Sequence, residues 1–315
     1  MLKHAYLIIA HTNPGQLRKL IGLLDDVRND IYVLIDKKSK QEFKFTGLCK
    51  KSKLEILPKQ AILWGGVSQI EAELSLFSAA KRNRTYQYYH LLSGMDLPLH
   101  NQDYIHAFFD KFDGYEFFTF VGEEIYANVK PTNRMRYYYP FQNMETNRYI
   151  RWAFMRIQDK ILIPLQKAFH VNRLNNSDDN IGYGSNWVSV TEDFVNLLLD
   201  KQDEILKRYQ SSWCCDEVYK HTILINSEFA RKLFCRDGVN DRPEDKQGNL
   251  RYINWWDGSP KTWTAEDCEE LQNIISRGYL WSRKFDERID SEVIEWLFDK
   301  VRNEAYTSLY GDFIE

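Results

Sequence analysis

With 315 residues, 28% of them charged and 43% hydrophobic, the chain is long enough for one large α/β domain and too apolar to be disordered. A formal net charge of −3 argues against a nucleic-acid binder, which carries a basic excess. The five cysteines (Cys49, Cys214, Cys215, Cys235 and Cys268) are odd in number and lack CxxC spacing, so reduced thiols are expected rather than a disulfide framework or zinc cluster.

The first ~120 residues alternate strand and helix signals, the pattern of a mostly parallel sheet. Tyr6–Ala10 is a continuous apolar run, as a strand buried on both faces requires. It ends in the turn cluster His11-Thr-Asn-Pro-Gly15, and Pro14 suits the start of a helix carrying Leu17, Leu20, Ile21 and Leu24. A second strand, Ile31–Ile35, stops at Asp36, and Leu54–Leu57 is a weaker third. Ser68–Ala80 reads as a helix and 87–92 as the next strand, followed by Ser93-Gly94 and the single acid Asp96. Residues 123–150, rich in Arg, Tyr, Asn and Pro around Asn133-Arg-Met-Arg136, read as an irregular functional loop. Ile150–Phe169 reads as a long helix interrupted by Pro164, and 175–180 as a loop. A helix over 193–208, a short strand at Arg251–Asn254, and helices near 265–276 and 290–303 complete the pattern. The expected division is a nucleotide-binding half, 1–122, and an acceptor and catalytic half, 123–315, of one domain.

In open α/β sheets, ligands bind beyond the carboxyl ends of the strands. His11 and Asp36 end two strands and are candidates to face a nucleotide base or ribose. A metal-dependent nucleotide-sugar enzyme would usually place two acids at such a point, whereas Asp96 stands alone. Arg251, Arg283 and Lys284 are the candidates to neutralise a diphosphate instead. Asp216-Glu217 opens an amphipathic segment. Asp216 sits where an N-cap is wanted, and Glu217 is a candidate general base for an acceptor hydroxyl. Ser185, next to Gly184, and Trp187 are candidate sugar contacts, with core packing the competing reading for Trp187. There is no GxSxG elbow, Walker loop, HExxH or GxGxxG after a strand.

Taken in order, eight segments resemble the core-2/I-branching β-1,6-N-acetylglucosaminyltransferase family, which includes the peptide O-xylosyltransferases. They are Ala5–His11, Tyr32–Ser39, Trp64–Leu76, Tyr89–Leu99, Gly184–Trp187, Cys215–Glu217, Leu250–Trp255 and Arg283–Asp286. The resemblance implies a GT-A-like fold and an inverting, metal-independent transfer from a UDP-sugar. By position it implies Glu217 as base, Arg251 and Lys284 as the cations on the diphosphate, and Asp36 with the His11 region at the uridine. Asp96 falls where metal-dependent relatives of the fold carry paired acids.

The expected function is therefore a metal-free glycosyltransferase moving a sugar, N-acetylglucosamine ahead of xylose or another, from UDP to a hydroxyl of a glycan or glycoconjugate, lipid-linked acceptors included. Two alternatives stay open: a metal-dependent UDP-sugar transferase using Asp96, and a non-catalytic glycan-binding protein. No run reaches the ~18 apolar residues of a membrane span, and the N-terminus carries no signal-peptide pattern. Both point to the cytoplasm, with a peripheral position on the inner face of the membrane left open.

Overall fold

The computed structural model describes residues 2–174, 180–258 and 260–304. The expected loop at 175–180 therefore lies, except for Asn180, outside the described residues. The first strand, β1 (Lys3–Ala10), leads into helix α1 (Pro14–Leu24), strands β2 (Asn29–Ile35) and β3 (Lys53–Ile56), helix α2 (Ser68–Asn83) and strand β4 (Tyr86–Ser93). A two-residue strand, β5 (Leu97–Pro98), precedes helix α3 (Gln102–Lys111). Strand β6 (Phe120–Val121), helices α4 (Glu123–Val129) and α5 (Thr132–Arg136), and the end-to-end helices α6 (Arg148–Ile157) and α7 (Ile163–Ala168) follow. Strand β7 (Ser189–Thr191) runs directly into helices α8 (Glu192–Asp200) and α9 (Gln202–Tyr209). Helix α10 (Tyr219–Ile225), strands β8 (Gly238–Val239) and β9 (Arg251–Ile253), helix α11 (Cys268–Ser276), strand β10 (Trp281–Arg283) and helix α12 (Glu292–Arg302) close the described chain.

The central sheet has the order β3-β2-β1-β4-β7. Its first four strands are parallel and β7 is antiparallel to β4. The fold is thus α/β with a mostly parallel central sheet flanked by helices, as expected from the alternating elements. Because side chains alternate along a strand, Tyr6, Ile8 and Ala10 point into a core shared with α1, α12 and Trp281, while Ala5 and Leu7 enter a second core with α2 and α8. Burial on both faces explains the unbroken apolar runs in β1 and β2. A smaller sheet, β5-β10-β9, packs beside the first.

Several expectations need correction. Residues 123–150 are not wholly irregular, since α4 and α5 occupy part of them. The expected 193–208 helix is two helices broken at Lys201, with Thr191 capping the first through its hydroxyl, which accepts from Phe194 N. The expected helix over 150–169 begins at Arg148 and changes to a π-turn over Gln158–Leu162 before Pro164 enters near the start of α7. The wider turn spares the carbonyls that a proline ring would meet in a regular helix. Among the described residues no helix is long and apolar enough to cross a membrane.

Deep in the first core lie three histidines. His4 Nδ1 and His90 Nε2 are 3.0 Å apart, His90 Nδ1 meets Ser189 Oγ, and His106 Nε2 meets Asn29 Oδ1 at 2.8 Å. Burial holds all three imidazoles below their usual range, with His106 brought down to about 4. Between pH 4 and 6.5 an unfolded His106 binds a proton that the folded one refuses, so stability rises with pH there and is lost as pH falls. His106→Gln is expected to flatten that rise by up to about 1.4 kcal/mol per pH unit. Urea unfolding across this window measures it, and an unchanged slope would contradict the assignment.

Candidate active site

Chain geometry around residues 213–217 decides what Glu217 faces. Cys214 adopts a left-handed conformation (φ 47°), and Cys215–Glu217 form a single tight 3₁₀ turn before α10. Successive acids then point in opposite senses. Asp216 turns inward, where its carboxylate accepts from Gln69 Nε2 at 2.8 Å. Burial pushes the Asp216 carboxyl up to about 7, Glu217 and Glu73 add to this, and Lys220 opposes it. The N-cap expected at Asp216 is therefore corrected: α10 begins at Tyr219 with no side-chain cap, because the Asp216 carboxylate is spent on Gln69.

Beneath that turn is a fully buried ion pair between Lys220 and Glu73. Tyr219 donates to the same Glu73 oxygen at 2.7 Å, and Lys220 also donates to Asn186 Oδ1 at 2.6 Å. These bonds anchor α10 to α2 and to the segment carrying Ser185 and Trp187.

Glu217 turns outward onto the wall of a cavity of about 390 Å³. Trp64, Trp213, Trp255, Trp256 and Tyr183 supply much of its lining, and Ser185 lies there too. Aromatic faces with polar edges suit sugar rings. Arg134 donates to Glu217 Oε2 at 2.6 Å, to Cys214 O at 3.0 Å and to Tyr183 Oη at 3.2 Å. Its guanidinium also lies over the rings of Tyr183 and Trp213, at 4.7 and 5.5 Å from their centroids. Burial opposes this charge, but Glu217 and Tyr183 more than offset it and raise the guanidinium pKa. The sequence marks the 133–136 cluster as functional but leaves Arg134 without a role. The structure makes it the partner of Glu217.

A second group of residues collects at the strand ends. His11 follows β1 and Asp36 follows β2, and the Asp36 carboxylate accepts from Lys38 N at 2.9 Å and Ile62 N at 3.3 Å. His11 keeps one edge exposed, yet the protein around it withdraws enough water to lower its pKa. Asp36 opposes that effect, and Arg283, Lys284 and Arg288 reinforce it. Three cations thus gather within electrostatic reach of His11. Two already have carboxylate partners: Arg283 pairs with Asp96 at 2.8 Å, and Arg288 grips Asp286 through two nitrogens. Lys284 is half-buried and its ammonium carries no ion pair among the described residues.

Asp96 is buried, with one oxygen accepting from Ser93 N at 2.8 Å and the other from Arg283. Arg283 in turn lies 5.0 Å from the ring centre of Trp187. Asp96 and Trp187 therefore hold Arg283 in place. Arg251, the other expected diphosphate cation, lies in the core. It is 1% exposed, its guanidinium donates to the Asn249 and Val188 carbonyls and to Ser189 Oγ, and it lies over Trp281 at 4.7 Å. Burial disfavours its charged form, with Asp96 and Tyr6 compensating in part.

The cavity and the cation cluster are joined by a strap. Gly184 N donates to Glu217 O, Ser185 Oγ accepts from Asn249 Nδ2, and Asn249 Nδ2 also donates to Trp187 O.

Residues 4–274 match the family described as Core-2/I-Branching enzyme. The chain belongs to that family. Curated relatives include a xylosyltransferase of Ciona intestinalis, 22% identical over 98% of this chain and 34% of its own length. Xylosyltransferase 2 of Rattus norvegicus is 21% identical over 94% of this chain and 33% of its own. The chain thus spans about a third of the length of these relatives. A solved structure, mouse xyloside xylosyltransferase 1 in its apo form, aligns over 89% of this chain and 96% of its own, with 11% identity and a TM-score of 0.35. In this Core-2/I-Branching member the strap leaves no room beside Gly184, where an added Cβ would lie 1.9 Å from the Thr119 carbonyl oxygen. Gly184→Ala is expected to cost roughly 1–3 kcal/mol in urea unfolding. An unchanged midpoint would show that the strap yields freely.

Proposed function

We propose that this chain is an inverting, metal-independent glycosyltransferase with a GT-A-like site, using a UDP-sugar donor and a hydroxyl acceptor. The 1–122 half holds the nucleotide and the 123–315 half holds the acceptor. What supports the reading is one juxtaposition: the Glu217 carboxylate on the wall of an aromatic cavity, joined by residues 184–187 to a cluster of cations at the strand ends. Names of the curated relatives make xylose the first donor to test, with N-acetylglucosamine beside it.

In this reading the acceptor enters the cavity and lies against Ser185 and the tryptophans. Its hydroxyl oxygen attacks the anomeric carbon as the bond from that carbon to the phosphate oxygen breaks, and Glu217 takes the hydroxyl proton. Arg134 holds the carboxylate aimed into the cavity. UDP leaves with its new charge facing Lys284, whose ammonium has no carboxylate partner among the described residues, while Arg283 stands fixed beside it on Asp96. His11 and Asp36 flank the uridine. Asp96 already satisfies Arg283 and the Ser93 amide, which favours cation over metal neutralisation of the diphosphate.

Turnover of UDP-xylose and UDP-N-acetylglucosamine, with a panel of soluble glycoside acceptors, tests this directly. EDTA-resistant UDP release is expected, and Glu217→Gln should lower it by roughly 10²–10⁴-fold. Full turnover in Glu217→Gln would remove Glu217 as the base. Release abolished by EDTA and restored by Mn²⁺ would replace the metal-free mechanism.

A further inference from the structure

The helical pair α6 and α7 presents an apolar surface that the site described above does not use. Tyr149, Trp152 and Phe169 are 80, 58 and 78% exposed, and Ile150, Ile157, Ile161 and Leu165 are also exposed. Ile157, Ile161, Leu165 and Phe169 recur every four residues, so they form one row along the pair. The opposite side is the anchored one. Gln158 donates no such surface: it is buried and its side chain accepts from Phe141 N, Gln166 bonds both the N–H and carbonyl of Tyr138, and Ile163 packs with Tyr137, Tyr139 and Trp213. An exposed apolar row of this length marks a contact surface.

Its charge narrows the partner. Residues 149–168 hold four cations (Arg151, Arg156, Lys160 and Lys167) against one acid, Asp159, in a chain whose formal net charge is −3. Arg156 and Lys160 each precede a member of the apolar row, and Arg156 lies 4.4 Å from the ring centre of Trp152. Exposed Trp, Tyr and Phe beside Lys and Arg on one amphipathic helix are the composition that lies in a bilayer interface and favours anionic lipid. A second copy of the chain fits less well. In a two-fold contact the patch meets itself, and cations would face cations.

We propose that α6 and α7 dock this protein on an anionic membrane surface. Docking there sets the cavity mouth beside the lipid. Trp64 lines the cavity, is itself 62% exposed, and its carbonyl accepts from Arg151 of α6 at 2.8 Å. An acceptor sugar carried on a lipid would then reach Glu217 without leaving the membrane surface, a consequence that rests on the transferase reading above.

Vesicle sedimentation with the full chain and no sugar donor tests the docking apart from that reading. Binding is expected to vesicles containing about a third phosphatidylglycerol, to weaken as salt is raised, and to be weaker on pure phosphatidylcholine. Arg156→Gln with Lys160→Gln should lower the partition coefficient roughly 25-fold, about five-fold per cation. Trp152→Ser with Phe169→Ser, both at exposed positions, should lower it while leaving turnover of soluble acceptors unchanged. Equal binding to neutral and anionic vesicles, no binding to either, or full binding by both variants would overturn the proposal. So would concentration-dependent self-association without lipid that the same substitutions abolish, which would assign the face to a second copy.

Discussion

One buried polar knot holds the loops beyond β1, β4 and β10 together, and the candidate nucleotide site depends on it. Asn13, in a left-handed conformation, donates to Asp286 at 2.9 Å. Gln16 donates to the carbonyls of Gly94 and Phe285 and accepts from Glu287 N, each at 3.1 Å. Phe285 N donates to Met95 O at 3.0 Å. Three segments far apart in sequence are thereby fixed to one another, and the 283–288 cations come to rest near His11. Buried amides that satisfy all their partners are rigid, because losing any one bond leaves an unpaired group away from water. Gly94 belongs to the same constraint, since an added Cβ would lie 2.8 Å from Ala10 Cβ.

The second fixed point is the Glu73–Lys220 pair under the 3₁₀ turn. A buried ion pair is weak evidence for net stability, but removing one partner leaves an uncompensated charge. Its consequence is directional: with Asp216 drawn inward and α10 pinned, Glu217 faces the cavity. Arg134 completes the arrangement from the other side. From Asp96 through Arg283, Trp187 and Asn249 to the 184–185 segment and Glu217, every step is a hydrogen bond, a ring contact or the chain itself, so Arg283 and the carboxylate belong to one continuous structure.

What the sequence disclosed follows from what each residue must satisfy locally. β1, β2 and β4 are legible because strands buried on both faces must be apolar throughout. Strands β5, β7 and β10, two or three residues each, exist only through their pairing and leave no local pattern. α3 was not marked either, although Asn101 caps it by accepting from Tyr104 N. At the site, the acid pair 216–217 and the loop cations stood out by residue type and by family resemblance. Residue type alone could not separate Arg251, buried against Trp281, from Lys284, which is half-buried and has no ion pair among the described residues. That distinction is made by burial, which distant parts of the chain impose. Arg134 escaped for the same reason, since its link to Glu217 spans 83 positions.

The most direct test of the account is calorimetric titration of UDP into the protein in EDTA. The account predicts binding without added metal, weakened about tenfold or more by Lys284→Ala and left nearly intact by Glu217→Gln. Binding that requires Mn²⁺, or that is indifferent to Lys284→Ala, would contradict it.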